Sequence, residues 1–141
     1  MSDAAAPAEQ PRAIVAGHAQ FAHGLVSAVQ QITGRGAVFH PVSVVDLSGP
    51  DIENLLRNTM LETGIRVIFT DLQAGSCTMA ARRLLRGMDD AVLICGVNLP
   101  TLLDFVFATD VPDSQAAQHA LERGRAAMHA TKSPAAPADG A

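Results

Sequence analysis

The chain contains no tryptophan and no tyrosine, and aromatic residues make up only 4% of its 141 residues. Its core must therefore be built mainly from Val, Ile, Leu, Met and Ala, and a stacked flavin ring would find few aromatic partners. There are two cysteines, Cys77 and Cys95. That is too few for a disulfide framework, and neither their spacing nor the nearby histidines suggest zinc. Both read as reduced thiols of a cytoplasmic protein. No apolar run approaches the length of a membrane span. Residues Met1–Pro11 are rich in Ala and Pro and carry acidic residues without the apolar centre of a signal peptide. A basic excess is also missing. The formal net charge is −4, which argues against a nucleic-acid binder, since phosphate neutralisation needs surplus Lys and Arg. No G-x-x-x-x-G-K-[ST] segment occurs, so nucleotide-dependent kinase chemistry has no support.

What is present is a globular composition, 48% apolar, enough for one domain with a single core. Residues 12–130 are read as that domain, between tails at 1–11 and 131–141 whose composition predicts disorder. Strand-like and helix-like segments alternate within it. The strands are read at Ala13–Ala16, Ala37–Val45, Ile65–Thr70 and Ala91–Cys95. Helices are read at about Gln20–Thr33, from Ser48 to Gly64, at about Ser76–Arg86, from Asn98, and from a cap at Asp113 or Ser114 to about Ala130. Ser48-Gly49-Pro50-Asp51 has the makings of a capped helix start, and Asn98 can cap the fourth helix. This alternation predicts an α/β fold, an open three-layer sandwich on a mainly parallel sheet of four or five strands. Pro41 cannot donate to a ladder and places the second strand at an edge. Right-handed crossovers leave few orders, and the one preferred, because it sets this strand at the edge, is the flavodoxin-like 2-1-3-4.

In that order the chain reverses between strands 1 and 3, and the crevice at the reversal is where ligands collect in open α/β sheets. Two turns line it. One supplies Gly17-His18 at the mouth of the first helix. The other supplies Asp71 and then Leu72-Gln73-Ala74-Gly75-Ser76. Imidazole is a fair nucleophile that is readily neutral near pH 7. A carboxylate on one ring nitrogen fixes the tautomer and leaves the other nitrogen's lone pair free to attack phosphorus. His18 and Asp71 are thus the candidate catalytic pair. Ala74, Gly75 and Ser76 lead into a helix whose N–H groups, with the Ser76 hydroxyl, can bind phosphate oxygens. Taken singly, a loop histidine is most often a surface group and a strand-ending aspartate a turn residue. Their placement together at the crevice carries the functional reading.

The segment Gly17-His18-Ala19-Gln20-Phe21-Ala22-His23-Gly24-Leu25 resembles the phosphorylation-site segment of enzyme IIA of the mannose family of the bacterial sugar phosphotransferase system. Two further segments match in order. Thr70-Asp71-Leu72 with Gly75-Ser76 and Ala80-Ala81 is similar to the family's Asp-Leu-x-Gly-Gly-Ser/Thr-Pro block. Gly96-Val97-Asn98-Leu99-Pro100 with Leu102-Leu103 is similar to its Gly-x-Asn-Leu/Ile-Pro helix start. The likeness spans about residues 13–128. It implies an open α/β homodimer with no cofactor. It also implies that His18 takes a phosphoryl group from HPr and passes it to enzyme IIB, working indirectly with the membrane components IIC and IID. Asp71 matches the carboxylate partner of that histidine. The resemblance implies a cytoplasmic protein associated peripherally with the transporter. Dihydroxyacetone phosphorylation by related proteins is the alternative, and the Gly96–Pro100 block favours the sugar branch. The chain departs from the pattern at Ala19 and Ala74, where the family has glycines, and at Cys77, where it has proline. A non-catalytic regulatory module of the same fold is the reading these departures motivate.

The remaining candidates have plainer readings. His23 reads as a half-exposed helix residue, His40 as structural, and His119 and His129 as members of a polar helix face. No histidine pair has metal-ligand spacing with a carboxylate. Cys77 at a helix N-terminus would have a lowered thiol pKa, although a small packing residue is the commoner role there. Arg82, Arg83 and Arg86, with Arg123 and Arg125, are read either as solvated faces or as a means of steering a partner with acidic rims.

Overall fold

The computed structural model of the protein describes residues 9–135. Most of the two tails read as disordered, residues 1–8 and 136–141, lies outside the described residues. Within them, residues 131–135 carry no secondary structure and are exposed, whereas Glu9 accepts from Arg35, with Nη2 2.6 Å from its Oε2.

Four strands, β1 (Ala13–Gly17), β2 (Phe39–Ser43), β3 (Val67–Thr70) and β4 (Val92–Cys95), form one parallel sheet in the order β2-β1-β3-β4. This is the order read from the sequence. Pro41 lies in β2 at one edge, opposite Val15 of β1, and its missing N–H costs no ladder bond on the open side. β1 and β3 are buried along their whole length. Unbroken apolar strands of this kind arise where a parallel sheet is covered on both faces.

Five helices provide that cover: α1 (Phe21–Thr33), α2 (Gly49–Thr63), α3 (Ser76–Leu85), α4 (Leu99–Phe107) and α5 (Asp113–Ala126). Side chains of alternate strand residues feed two cores. Val15, Phe69 and Ile94 pack with α1, α4 and α5, where Phe39, Phe69 and Phe105 stack edge-on or tilted at centroid distances of 5.3–6.1 Å. Ile14, Ile68 and Leu84 pack with Ile52, Leu56 and Met60 of α2. Among the described residues no helix is long and apolar enough to cross a membrane.

Helix starts follow the sequence signals where those are local. Ser48 and Asp51 form a reciprocal capping box on α2, and Asn98 Oδ1 accepts from Thr101 N on α4. Three expectations change. The second strand begins at Phe39 rather than Ala37, because Gly36–Val38 winds into a single 3-10 turn. Gly36 N donates to Gln30 Oε1 at 2.9 Å and fixes that turn against α1. At α5, neither Asp113 nor Ser114 is the cap; Pro112 takes that position. Asp113 accepts from Arg12 instead, and Ser114 Oγ donates to Asp90 Oδ1. The helix stops at Ala126 rather than near Ala130, and residues 125–130 are all exposed, with no core face to continue.

Candidate functional site

The register of the sheet brings the site together. Ala16 of β1 is level with Thr70 of β3, so the residues that follow, Gly17-His18 and Asp71, leave the carboxyl edge side by side. His18 N donates to Asp71 Oδ2 at 2.8 Å, and His18 Nδ1 lies 2.7 Å from the same oxygen. The histidine side chain is 51% exposed and the aspartate 8%. One ring nitrogen is therefore held by a buried carboxylate, while the ring itself reaches solvent.

Close approach explains the glycine before the histidine. A methyl carbon on Gly17 would stand 2.8 Å from Phe21 Cδ2 and 3.1 Å from the Asp71 carboxylate. Any side chain there would push apart the two turns that make the pair. From the other side, Val44 N donates to Gly17 O, and Ser43 Oγ donates to Ala19 O at 2.8 Å, so the end of β2 braces the loop.

Two opposing effects act on Asp71. Burial alone raises its carboxyl pKa, in keeping with an Oδ1 that is buried without a hydrogen-bond partner among the described residues. The backbone and side-chain hydrogen bonds from His18, together with the attraction of its charge, outweigh burial and hold the group below its ordinary value. A carboxylate kept ionised is the form that can fix Nδ1 as the protonated nitrogen. Nε2 then carries the lone pair.

α3 points its N-terminus at this ring. Gly75 is the cap residue and contributes no side-chain acceptor, which leaves the first-turn N–H groups without a capping partner. A methyl on Gly75 would lie 3.3 Å from His18 Cε1; the backbone comes that close to the imidazole because the residue is glycine. Its φ of −82° is open to any residue, so space rather than conformation selects it. Ser76 opens the helix and is exposed, as is Ala74 in the preceding bend. The arrangement combines a nucleophilic nitrogen with a helix end that favours anions.

Comparison with known proteins gives the family and the fold. The family model described as the PTS system fructose IIA component matches residues 12–122. The chain belongs to that family. A search of curated proteins found no match. Among solved structures, this IIA-family chain is similar to the mannose/sorbose specific IIA subunit of the phosphotransferase system from Enterococcus faecalis. Identity is 17%, with 92% of this chain and all of the other covered, at a TM-score of 0.75. A putative phosphoenolpyruvate-dependent sugar phosphotransferase system permease from Klebsiella pneumoniae aligns at 21% identity over 89% and 94% of the two chains, TM-score 0.73. The phosphotransferase system component EIIA from Streptococcus agalactiae gives 18%, 86% and 97%, TM-score 0.71. At these identities the structures speak for the fold.

The three departures from the IIA pattern have different consequences. Ala19 takes φ 46°, the left-handed conformation that glycine adopts without cost. The alanine is strained there. Ala74 is absent from the positive-φ residues, so alanine there meets no conformational penalty. At Cys77 the helix terminus does not lower the thiol pKa, and the packing role read as the commoner one fits. Cys77 is fully buried, and burial with the nearby Asp71 charge pushes its pKa up to about 11, against the small lowering from its own helix amide. It is a packing residue. Cys95, read as core, is half-buried.

Sequence reasoning missed a buried hydroxyl pair. Thr78 Oγ1 donates to the Leu72 carbonyl, so Thr70 supplies the proton between Thr70 Oγ1 and Thr78 Oγ1, 2.6 Å apart. The pair ties the loop carrying Asp71 to the end of β3 and to α3. Its signal was two threonines in core phase, one closing an apolar strand and one on the inner face of α3. Elsewhere His23 and His40 are exposed, and His119 Nδ1 lies 2.8 Å from Asp104 Oδ2 on the polar side of α4 and α5. No group of three His, Cys, Asp or Glu residues among the described residues is placed to hold a metal ion.

Proposed function

We propose that this IIA-family protein is a phosphocarrier of a sugar phosphotransferase system, loaded on His18 by HPr and discharged to enzyme IIB. The observation that carries the reading is the 2.7 Å contact between His18 Nδ1 and the buried Asp71 carboxylate, with the ring half-exposed beside the α3 N-terminus. Nδ1–H stays donated to Asp71. The Nε2 lone pair forms the new N–P bond as the P–N bond of the donor phosphohistidine breaks, and that electron pair returns to the donor ring. The phosphorylated His18 ring is cationic, and Asp71 answers its charge. The amides opening α3 at Ser76, with the Ser76 hydroxyl and the Ala74–Gly75 backbone, receive the phosphoryl oxygens. Transfer to enzyme IIB repeats the step with the roles reversed.

The reading includes a cytoplasmic homodimer that meets the membrane components IIC and IID through enzyme IIB. Mixing the purified chain with enzyme I, HPr and phosphoenolpyruvate tests its chemistry. Intact mass should rise by one phosphoryl group, labile in acid, and the gain should vanish in His18→Ala. A wild-type chain that binds HPr without gaining mass would instead be a regulatory module. Ala19 keeps a φ of 46°, the backbone region that the glycine of the family pattern favours, and this supports the carrier reading.

A further inference from the structure

Asp71 stands between two neighbours that are fixed in different ways. Before it, Thr70 ends β3 between Ala16 of β1 and Cys95 of β4, and its carbonyl accepts from Val97 N at 3.0 Å. After it the chain leaves the sheet, and residues 72–75 carry no regular secondary structure. Leu72 is exposed, and the Gln73 carbonyl meets Arg82 Nη2 at the surface, 3.5 Å away. From the core, Thr78 Oγ1 reaches this segment and donates to the Leu72 carbonyl; its residue is fully buried. Thr78 is also the third residue of α3. Met79 N is bonded to Gly75 O at 3.0 Å, so the amides of Ser76, Cys77 and Thr78 precede the first intrahelical bond. One side chain therefore connects the turn that carries the carboxylate to the helix end that faces the imidazole.

We propose that Thr78 is a positioning residue of the histidine site, its hydroxyl setting the Asp71 carboxylate against His18 and the first turn of α3 beside the ring. The kinetic part of this rests on the carrier reading; the geometric part does not. Asp71 has little else to orient it. Oδ2 serves both His18 N and His18 Nδ1, and Oδ1 is buried without a hydrogen-bond partner among the described residues. The direction of the carboxylate thus depends on the backbone on either side of it. Thr70 is held by the ladder whatever its side chain does, whereas Leu72 depends on Thr78. Each hydroxyl has one proton to donate. Thr78 directs its proton to Leu72, and Thr70, 2.6 Å away, donates to Thr78 Oγ1 and keeps it turned that way. The Thr78 hydroxyl is the anchor and the Thr70 hydroxyl its support. Without the anchor, the buried Leu72 bond is lost and the carbonyl turns to find another donor, which carries Asp71 with it.

The first measurement uses the full chain and needs no phosphoryl transfer. Nitrogen-15 spectra of the histidine rings in mildly alkaline solution, with His18→Ala for assignment, report which nitrogen of His18 holds the proton. Wild type should show Nδ1–H. Thr78→Val keeps the branched shape without the donor, and it should admit a clear population of Nε2–H while circular dichroism stays unchanged. Thr78→Ser should restore the wild-type ratio, and Thr70→Val should stay close to it. Where valine prevents folding, Thr78→Ser against Thr78→Ala makes the same comparison, since the two differ only in the hydroxyl. The second measurement is loading from phosphorylated HPr. Its kcat should fall by about tenfold or more in Thr78→Val, with KM for HPr unchanged and recovery in Thr78→Ser. A Thr78→Val protein with the wild-type tautomer would overturn the inference. So would a serine variant as impaired as the valine or alanine one, which would mean that shape rather than the hydroxyl matters. If wild type takes up no phosphoryl group, the carrier reading fails, and the tautomer ratios still decide the role of Thr78.

Discussion

At Ala19 a φ of 46° holds an alanine in a conformation that penalises its Cβ. The turn survives because both flanks are fixed: Ser43 Oγ holds the Ala19 carbonyl, and His18 is doubly bonded to Asp71. Ala19→Gly should therefore raise stability by about 0.5–1 kcal/mol, the relief of strain exceeding the extra chain entropy of glycine. A urea midpoint that rises at constant slope is the expected readout. Asp71 supports a second prediction. Its folded-state pKa lies below the ordinary value of 3.8 despite burial. A depressed carboxyl contributes stability that is present above the unfolded pKa and lost as pH falls through the folded one. Wild type should thus lose stability more steeply than Asp71→Asn as pH drops below about 4, and denaturation at a series of pH values measures the difference. At neutral pH the same variant should slow loading of His18 by about a hundredfold or more, because the amide no longer enforces the tautomer or answers the charge. Rapid-quench phosphorylation would record it.

At the scale of elements, what the sequence revealed was what depends on neighbours in the chain. Right-handed crossovers left few strand orders, Pro41 demoted its strand to an edge and so favoured 2-1-3-4 among them, and from that order the meeting of His18 and Asp71 followed. The capping box at Ser48 and the cap at Asn98 are equally local. The errors arose where distant residues intervene. Asp113 looks like a cap but is claimed by Arg12, 101 residues away. Gly36–Val38 looks extended but is wound by a bond to Gln30. Cys77 follows the helix-terminus rule in sequence, while burial beside a carboxylate overrules it in space. The α4–α5 pair shows how tight such long-range fits are. A methyl on Gly124 would lie 1.8 Å from Thr101 Oγ1 and 2.9 Å from Asn98 Oδ1. Those two atoms make the α4 cap, and Asn98 Nδ2 donates back to Gly124 O at 3.0 Å. Gly124→Ala should lose about 2 kcal/mol, the overpacking outweighing the gain in helix propensity. Adding Thr101→Ala should recover part of that loss, a coupling that a double-mutant cycle in urea would quantify.

Across the whole molecule, the functional end and the fastening end of the sheet are opposite. His18 follows the carboxyl end of β1, and Arg12 precedes its amino end. Arg12 gathers the elements that local signals could not relate. Nε donates to Asp113 Oδ1 at 2.9 Å, Nη1 to Phe105 O at 3.0 Å and Nη2 to Ala108 O at 2.8 Å, with the guanidinium carbon 4.2 Å from the centre of the Phe105 ring. One planar group thereby joins β1 to the end of α4 and the start of α5, and it places positive charge at the carbonyl end of α4. Arg12→Ala should cost about 3 kcal/mol, from lost charged hydrogen bonds and stripped carbonyl partners. Arg12→Lys should recover less than half of that, since an ammonium cannot present three donors in a fixed fork. Because the staple lies a full strand length from the imidazole, phosphoryl uptake per folded molecule should be unchanged in both variants at a temperature where they remain folded. A loss of uptake in step with the loss of stability would mean instead that the α4–α5 layer helps to hold the His18–Asp71 pair in register.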